Sequence, residues 1–342
     1  TTWSPRYVLP RIVPAEHSVE QRMTELAKAD CLAGLEPLLV AYEQWLREVE
    51  KHPVDIGPEG PLEGESLRRE KEQLQLDVLA WKAECEAIAC GIAILKKSRE
   101  HWSGPGAQKS PLGIPFEAWV CMNLSMAEVA RRKGYTEWRL FQLAFILASI
   151  PAFATRIPAF HDFYKGEVAR TANAVTLLYF ATGGGKSEAF LGLLLFVLFL
   201  DRLRGKHHGV SALMRYPLRL LTLQQARRTF AAMGAAESVR YARGHPGEAF
   251  SLGFWVGSSN TPNWHSDEGY SDVPTVQDEP PGAEDSIAGR APYKGCKERW
   301  LKLDSCPFCL SGKLALRRVT PREGGTLGHY CTSPKAKCSW NA

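Results

Sequence analysis

The sequence predicts an α/β protein in which an all-helical N-terminal region precedes a parallel sheet, with a small cysteine-rich module near the end of the chain. Three observations lead to this fold class. Apolar residues recur at helical spacing between residues 17 and 148, β-prone runs alternate with helical runs from residue 172, and five of the nine cysteines fall within residues 296–338. A chain of 342 residues has room for two or three domains.

Helices are expected throughout residues 1–137. Gly34 and Pro37 divide the apolar pattern of residues 17–50 into two helices, and a longer apolar stripe follows over residues 74–95. Such stripes bury one face against other helices. We therefore expect a helical packing domain here, with a specific interaction surface as the alternative.

A short capped helix is predicted at the end of this region. Ser125 and Glu128 have the spacing of a capping box, and Gly134 is suited to end the helix. The next helix is expected over residues 137–154. DNA reading by this helix pair is an alternative, although amphipathic helix pairs are common.

Composition and charge are those of an ordinary globular protein. The net charge is +5, which is compatible with a nucleic-acid partner but is not specific to one. The N-terminus shows no signal pattern, and the longest apolar run, residues 189–200, is shorter than the ~20 residues of a membrane-spanning helix. We therefore expect a cytoplasmic protein that has no membrane partner.

Alternating strands and helices are predicted from residue 172 onward. Strand-like runs occupy residues 173–180, 209–214 and 250–257, and helical runs lie between them at 189–200 and 218–234. The first run is apolar throughout, as in a strand that is covered on both faces. This order of elements is typical of a parallel α/β sheet.

The segment between the first strand and its helix has the composition of a phosphate-binding loop. Glycines allow backbone N–H groups to approach phosphate oxygens, and the following helix adds its positive N-terminal end. Lys186 would reach the β/γ-phosphates of ATP, and the Ser187 hydroxyl would bind Mg²⁺. The other predicted ATP-binding residues of the loop are Thr182, Gly183, Gly184, Gly185 and Glu188. Phe180 stands where the full pattern has Gly or Ala, and a glycine-rich turn without a ligand is the alternative.

Two further segments favour a nucleotide-driven protein that binds nucleic acid. Residues 214–225 match most of the Pro-Thr-Arg-x-Leu-x-x-Gln pattern of superfamily-2 helicases, at the carboxyl end of the second strand. Arg215, Arg219 and Thr222 would contact strand phosphates there, with a basic surface helix as the alternative. Gln142 stands where these helicases often hold adenine, although glutamines are common on amphipathic helices.

The cysteines near the end of the chain predict a structural zinc site. The predicted ligands are Cys306, Cys309, Cys331 and Cys338. Four thiolates make a closed site, and Zn²⁺ would hold a small β-hairpin that has little core of its own. His329 and Cys296 are alternative ligands for the second half, and free buried thiols are the alternative to a metal site. The zinc module would brace its domain, contact DNA or bind a partner, and the sequence leaves this choice open.

Taken together, these segments resemble the DrmA family, the large superfamily-2 helicase subunit of the DISARM anti-phage system, and related bacterial defence helicases. The resemblance is carried by "FQLAFILASIPAF", "LLYFATGGGKSEAFLGL", "LMRYPLRLLTLQQ", "LGFWVGSSNTPN" and "CPFC". It implies a P-loop, RecA-like first motor domain, in part, at residues 138–263, with a zinc-ribbon insertion at 296–342. Residues 266–289 are acidic, contain no basic residue and include several prolines and glycines, so an exposed acidic loop is predicted at 264–295. The resemblance also implies that DNA, a partner subunit such as DrmB and a DNA methyltransferase take part, and that Thr261 contacts the nucleic-acid backbone.

Part of a complete motor is not found in the sequence. A superfamily-2 motor needs an Asp-Glu pair after a later strand and arginines from a second RecA-like domain. Residues 277–280 contain Asp-Glu, but no apolar strand precedes them. We therefore expect the chain to be the N-terminal portion of a larger enzyme that does not hydrolyse ATP on its own.

The function that these patterns predict is an ATP-dependent DNA helicase or translocase in bacterial anti-phage defence. The main alternative is a nucleotide-regulated scaffold or signalling protein whose zinc ribbon binds protein partners. The helicase-like pattern of residues 214–225 argues against that alternative. A third interpretation is a defunct nucleotide site inside a zinc-dependent DNA-binding module.

Overall fold

Helices make up most of the part of the chain that the computed structural model describes. The described residues are 19–51, 56–57, 60–61, 63–163, 165–166, 176–178, 183–215, 219–253, 305–309, 313–318, 327–333 and 338. The helices are α1 (Met23–Leu26), α2 (Glu36–Val49), α3 (Gly64–Glu100), α4 (Ile114–Lys133), α5 (Leu140–Ala154), α6 (Lys186–Leu203) and α7 (Arg219–Ala242). Short 3₁₀ segments lie at Cys31–Leu35, Pro111–Gly113 and Pro158–Phe163. The strands are β1 (Ile56–Gly57), β2 (Gly60–Pro61), β3 (Leu314–Arg318) and β4 (Leu327–Cys331).

The central helix of the fold is α4, which is buried on nearly every side. Phe116, Trp119 and Met122 are fully buried in it, and the helix contacts α1, α3, α6 and α7. The indole nitrogen of Trp119 donates to the Leu26 carbonyl at 2.8 Å. The polar atom of this large side chain is therefore satisfied inside the core.

Two glycines allow the helices around α4 to approach closely. A Cβ at Gly91 in α3 would lie 2.1 Å from the Leu147 carbonyl oxygen in α5. A Cβ at Gly192 in α6 would lie 2.6 Å from the Trp138 ring. The apolar run in α6 is the buried helix that the sequence predicts, because side chains such as Phe199 are fully covered. The close approach at Gly192 therefore fixes the position of α6 against α5 and against the segment that precedes α5.

The predicted capping box at Ser125 is wrong, because Ser125 lies within α4. The helix begins at Ile114, and the Ser125 hydroxyl donates to the Cys121 carbonyl at 2.7 Å instead of capping a first turn. The predicted helix end is confirmed, since Gly134 follows the last turn with a left-handed φ of 80°.

The predicted parallel sheet is not present among the described residues. The strands there form two antiparallel pairs, β1 with β2 and β3 with β4. Residues 209–214 and the described parts of the other two predicted strands, 176–178 and 250–253, have no strand structure. A buried parallel strand needs paired neighbours and helices on both faces. Leu177, Val210 and Leu213 lack such cover, because they are 75–85% exposed.

A single hydrophobic cluster spans the predicted domain boundary at residue 137. It runs from Val19 to Ala236, and the Trp138 amide donates to the Gln21 carbonyl at 2.9 Å. The division at this position stays a prediction, and the predicted acidic loop at 264–295 lies outside the described residues. None of the described helices combines the length and the apolar character that crossing a bilayer requires.

Candidate nucleotide-binding cleft and metal centre

The glycine loop ends in a sharp turn at the start of α6. Gly183 and Gly185 have φ values of 81° and 92°, which side-chain-bearing residues adopt only with strain. The helix begins at Lys186, and among the described residues no side chain caps it. Its first turn therefore offers backbone N–H groups and the positive end of the helix dipole to a ligand.

The start of α5 holds this loop by two hydrogen bonds, and a third bond orients the Gln142 side chain that makes one of them. The Gln142 amide nitrogen donates to the Gly185 carbonyl at 2.8 Å, and its amide oxygen accepts from the Arg139 backbone N–H at 2.8 Å. The Arg139 guanidinium donates to the Gly184 carbonyl at 2.9 Å. Both ends of the Gln142 side chain are thus engaged with the protein, and the adenine contact of this residue stays a prediction.

A buried carboxylate and two cations lie beside the loop. Glu188, in the first turn of α6, is 8% exposed and accepts from Arg228 of α7. The Lys133 ammonium at the end of α4 lies 3.3 Å from the same oxygen. Burial acts to raise the pKa of Glu188, but the positive charges of Arg228 and Lys133 outweigh it and hold the pKa below its ordinary value.

The glycine turn, Glu188 and Arg228 line a cleft of about 550 Å³. Its lining residues are Tyr135, Glu137, Arg139, Gln142, Gly183, Gly185, Lys186, Ser187, Glu188, Gln225 and Arg228. This volume falls within the roughly 300–1,000 Å³ of small-molecule sites.

The Tyr135 hydroxyl is buried in this cleft and has no hydrogen-bond partner among the described residues. Burial raises the pKa of Tyr135 to about 12, so the hydroxyl stays protonated and is a donor for a polar ligand. The residues present fit a phosphate-bearing ligand.

The structure brings most of the predicted ATP-site residues together. Five residues of the predicted loop and Gln142 lie in the cleft, and Gly184 is buried beside it. Thr182 lies outside the described residues. Sequence reasoning missed Tyr135, Lys133 and Arg228, because each lies far along the chain from the loop.

The predicted nucleic-acid contacts stay predictions. Arg215 is exposed in the segment before α7. Arg219 and Thr222 lie on the first turns of α7, where their side chains fall outside the described part. Thr261 lies outside it altogether.

The four predicted zinc ligands form a compact cluster. All four sulfur atoms lie within 4.8 Å of one another. The Cys306–Cys338 and Cys309–Cys331 sulfur pairs are each 3.5 Å apart, which is too far for a disulfide of about 2.05 Å. Tetrahedral zinc with Zn–S bonds of about 2.3 Å separates its sulfurs by about 3.8 Å, close to these distances. The cluster could hold a zinc ion.

Both halves of the cluster support their cysteine sulfurs with backbone N–H groups. Phe308 donates to Cys306 Sγ and Ser333 donates to Cys331 Sγ, each at 3.4 Å. Such bonds stabilise thiolates and orient them as ligands. Burial raises the pKa of the Cys306 thiol well above its ordinary value, so a divalent cation is the partner that would favour the thiolate. The hairpin β3–β4 carries Cys331 at its end, which confirms the predicted hairpin.

A second polar cluster joins α4 to the chain after α7. The fully buried Glu117 accepts two bonds of 2.7 Å from Arg243 and one of 2.7 Å from the Trp102 indole. His245 Nε2 lies 3.0 Å from the same carboxylate, beside Cys121. Burial acts to raise the pKa of Glu117, but the bonds from His245 and Arg243 lower it to about 2. Because its oxygens are already satisfied, Glu117 serves as a structural anchor.

A comparison with known proteins finds a relative of part of the chain. No known protein-family profile matches the chain. A stretch of 144 residues is 39% identical to the DISARM protein DrmA of Bacillus paralicheniformis. The predicted resemblance to DrmA is confirmed. The match covers 40% of this chain but only 12% of that DrmA, so the chain corresponds to a small part of a much longer protein.

Proposed function

We propose that the chain is the ATP-binding part of a superfamily-2 DNA helicase or translocase that acts in anti-phage defence. The observation that carries the proposal is the glycine turn at the start of α6, clamped by Arg139 and Gln142 inside a polar cleft. The DrmA-like stretch supports the same class of protein. A structural zinc ion at the cysteine cluster is part of the proposal.

Different residues of the cleft would bind different parts of the nucleotide. Lys186 would bind the β/γ-phosphates, and Ser187 would hold Mg²⁺. The backbone N–H groups of the glycine turn would surround the phosphates, and the Tyr135 hydroxyl would donate to a ligand oxygen. Bound ATP would supply the free energy for movement along DNA. Arg228 and Lys133 neutralise Glu188, which would otherwise repel the phosphates.

The DNA contacts and the partners rest on the same proposal. Arg215, Arg219, Thr222 and Thr261 would bind the DNA backbone without reading sequence. A second RecA-like domain would complete the catalytic site, and a subunit such as DrmB would be a partner in the defence system.

Removal of the Lys186 ammonium tests nucleotide binding directly. Mg²⁺–ATP binding to the chain is measured by isothermal titration calorimetry for the wild type and for Lys186→Ala. A charge-assisted bond to phosphate contributes about 1.5–3 kcal/mol, so the affinity should fall by roughly 10- to 150-fold. Lys28→Ala is the matched control, because Lys28 forms a surface pair with Glu25. It should bind as the wild type does.

The effect of DNA separates the motor from the scaffold alternative. In a protein that also carries the second RecA-like domain, DNA should stimulate ATP turnover, and Lys186→Ala should abolish it. Nucleotide binding without any response to DNA would favour the scaffold. A wild-type chain that binds no Mg²⁺–ATP would refute the proposed site.

A further inference from the structure

The turn between Cys306 and Cys309 is docked on the end of α4. Arg132 donates from Nη1 to the Pro307 carbonyl at 2.9 Å and from Nη2 to the Phe308 carbonyl at 2.6 Å. The Arg132 side chain is only 14% exposed, and Glu128 holds it through a bond of 2.8 Å to Nε. Bonds from a charged, preorganised guanidinium are among the stronger ones in proteins.

Helix α7 makes the second contact with the same turn. Phe230 packs against the buried cysteine cluster. Gly234, one turn further along the helix, lies so close that a Cβ there would be 3.0 Å from the Pro307 carbonyl oxygen. The Cys306–Cys309 turn is therefore seated between two helices of the main body, and Pro307 is buried there.

The same two helices also hold the carboxylate of the nucleotide cleft. Lys133 follows Arg132 directly, and its ammonium pairs with Glu188. Arg228 precedes Phe230 by two residues on α7 and pairs with the same carboxylate. A displacement of either helix at the cysteine cluster would therefore also displace Lys133 or Arg228, which lie only one and two residues from the contacts with the turn.

We propose that the metal-loaded cysteine cluster braces the nucleotide cleft and that Arg132 is the positioning residue that connects them. The hairpin has a small buried core of its own, so a zinc ion would fix the shape of the turn that accepts from Arg132. Zinc binding and order at the start of α6 are then thermodynamically linked, and the linkage is reciprocal. The extension to nucleotide affinity rests on the proposed function.

The neighbouring arginine provides a matched control. Within the part of the chain that the structure describes, the Arg131 side chain hydrogen-bonds only with Glu128 and is 71% exposed. Arg132→Ala removes both bonds to the turn, whereas Arg131→Ala removes a surface ion pair. Gly234→Ala is a second test variant, because it favours the helix yet places a Cβ against Pro307.

The first measurement is the rate at which zinc passes from the loaded chain to a chromophoric chelator. Loss of the two charge-assisted bonds should speed release by about tenfold or more in Arg132→Ala. Gly234→Ala should also speed release, and Arg131→Ala should stay within about twofold of the wild type. Equal rates for Arg132→Ala and Arg131→Ala would overturn the proposal. Release that responds to added DNA but not to Arg132→Ala would overturn it in favour of a nucleic-acid role.

The second measurement is amide hydrogen exchange without nucleotide. Zinc removal should raise exchange in residues 186–193 and 225–234, and Arg132→Ala should raise it there even with zinc bound. Unchanged exchange in α6 in both cases would overturn the brace. Mg²⁺–ATP should also slow zinc release in the wild type. If it does not, while exchange still responds to zinc, the brace is upheld and its extension to nucleotide affinity is wrong.

Discussion

Alanine at Gly185 tests whether the glycine turn is built for a ligand. Gly185 has a φ of 92°, where a residue with a Cβ is strained by about 1–2 kcal/mol. The new Cβ would also lie 2.7 Å from the Gln142 amide nitrogen and would displace its bond to the loop, a loss of about 1 kcal/mol. Together these terms disfavour the binding-competent loop by about 2–3 kcal/mol. Mg²⁺–ATP affinity, measured by calorimetry, should fall by roughly 30- to 150-fold.

Alanine substitutions at two other glycines distinguish the backbone strain from the loss of the Gln142 bond. Gly183 has a φ of 81°, but among the described residues no atom lies within 4 Å of the position that a Cβ would take. Gly183→Ala therefore adds strain alone and should weaken binding by roughly 5- to 30-fold. Gly205, just after α6, has a φ of 88° and similar open space in the described structure, so Gly205→Ala should lower stability and leave binding unchanged. Binding by Gly185→Ala within about threefold of the wild type would refute the reasoning.

Two further predictions concern the stability of the core. The pKa of Glu117 is about 2 in the folded chain and 4.5 as a reference, so its ion pair stabilises the fold above pH 4.5 and is lost as the pH falls toward 2. In urea unfolding, Glu117→Gln should therefore be about 3 kcal/mol less stable than the wild type at pH 7. At pH 3 this difference in the free energy of unfolding should be about 2 kcal/mol smaller. A difference that does not change with pH would contradict the pairing. Gly91→Ala should lower the free energy of unfolding by about 1–3 kcal/mol, because its Cβ would clash with the Leu147 carbonyl; an unchanged melting temperature would contradict the close approach.

Glycines close to the helix ends predicted two of the helix boundaries from the sequence. Gly134 ends α4 and the glycine turn starts α6, because a left-handed residue at a helix boundary is a property of a few neighbouring residues. The start of α4 was missed for the opposite reason. The helix is buried on nearly every side, so its sequence has no polar face, and Ser125 could be mistaken for a cap although it is fully buried.

The charged groups of the cleft could not be predicted from spacing. Arg228 lies 40 residues after Glu188, and Lys133 lies 55 residues before it. Only the packing of α4, α6 and α7 brings these three groups together. The signal that was present is the cluster of basic residues at the end of α4, which a helix C-terminus favours on its own account. Only the structure shows that Lys133, one of these basic residues, pairs with Glu188.

The course of α7 bears on the choice between a motor and a scaffold. A scaffold whose cysteine module binds protein partners would need the Cys306–Cys309 turn to be available, yet Arg132 and α7 occupy one face of it. On the 24 residues of α7, the predicted DNA contact Arg219 stands at the start, Arg228 reaches the cleft and Phe230 touches the cysteine cluster. A single helix thus carries the predicted DNA contact, a residue of the proposed nucleotide cleft and a contact with the cysteine cluster. In the proposed motor, a nucleotide-driven shift of Arg228 would move the predicted DNA contact with it, because a helix transmits displacement as a rigid element.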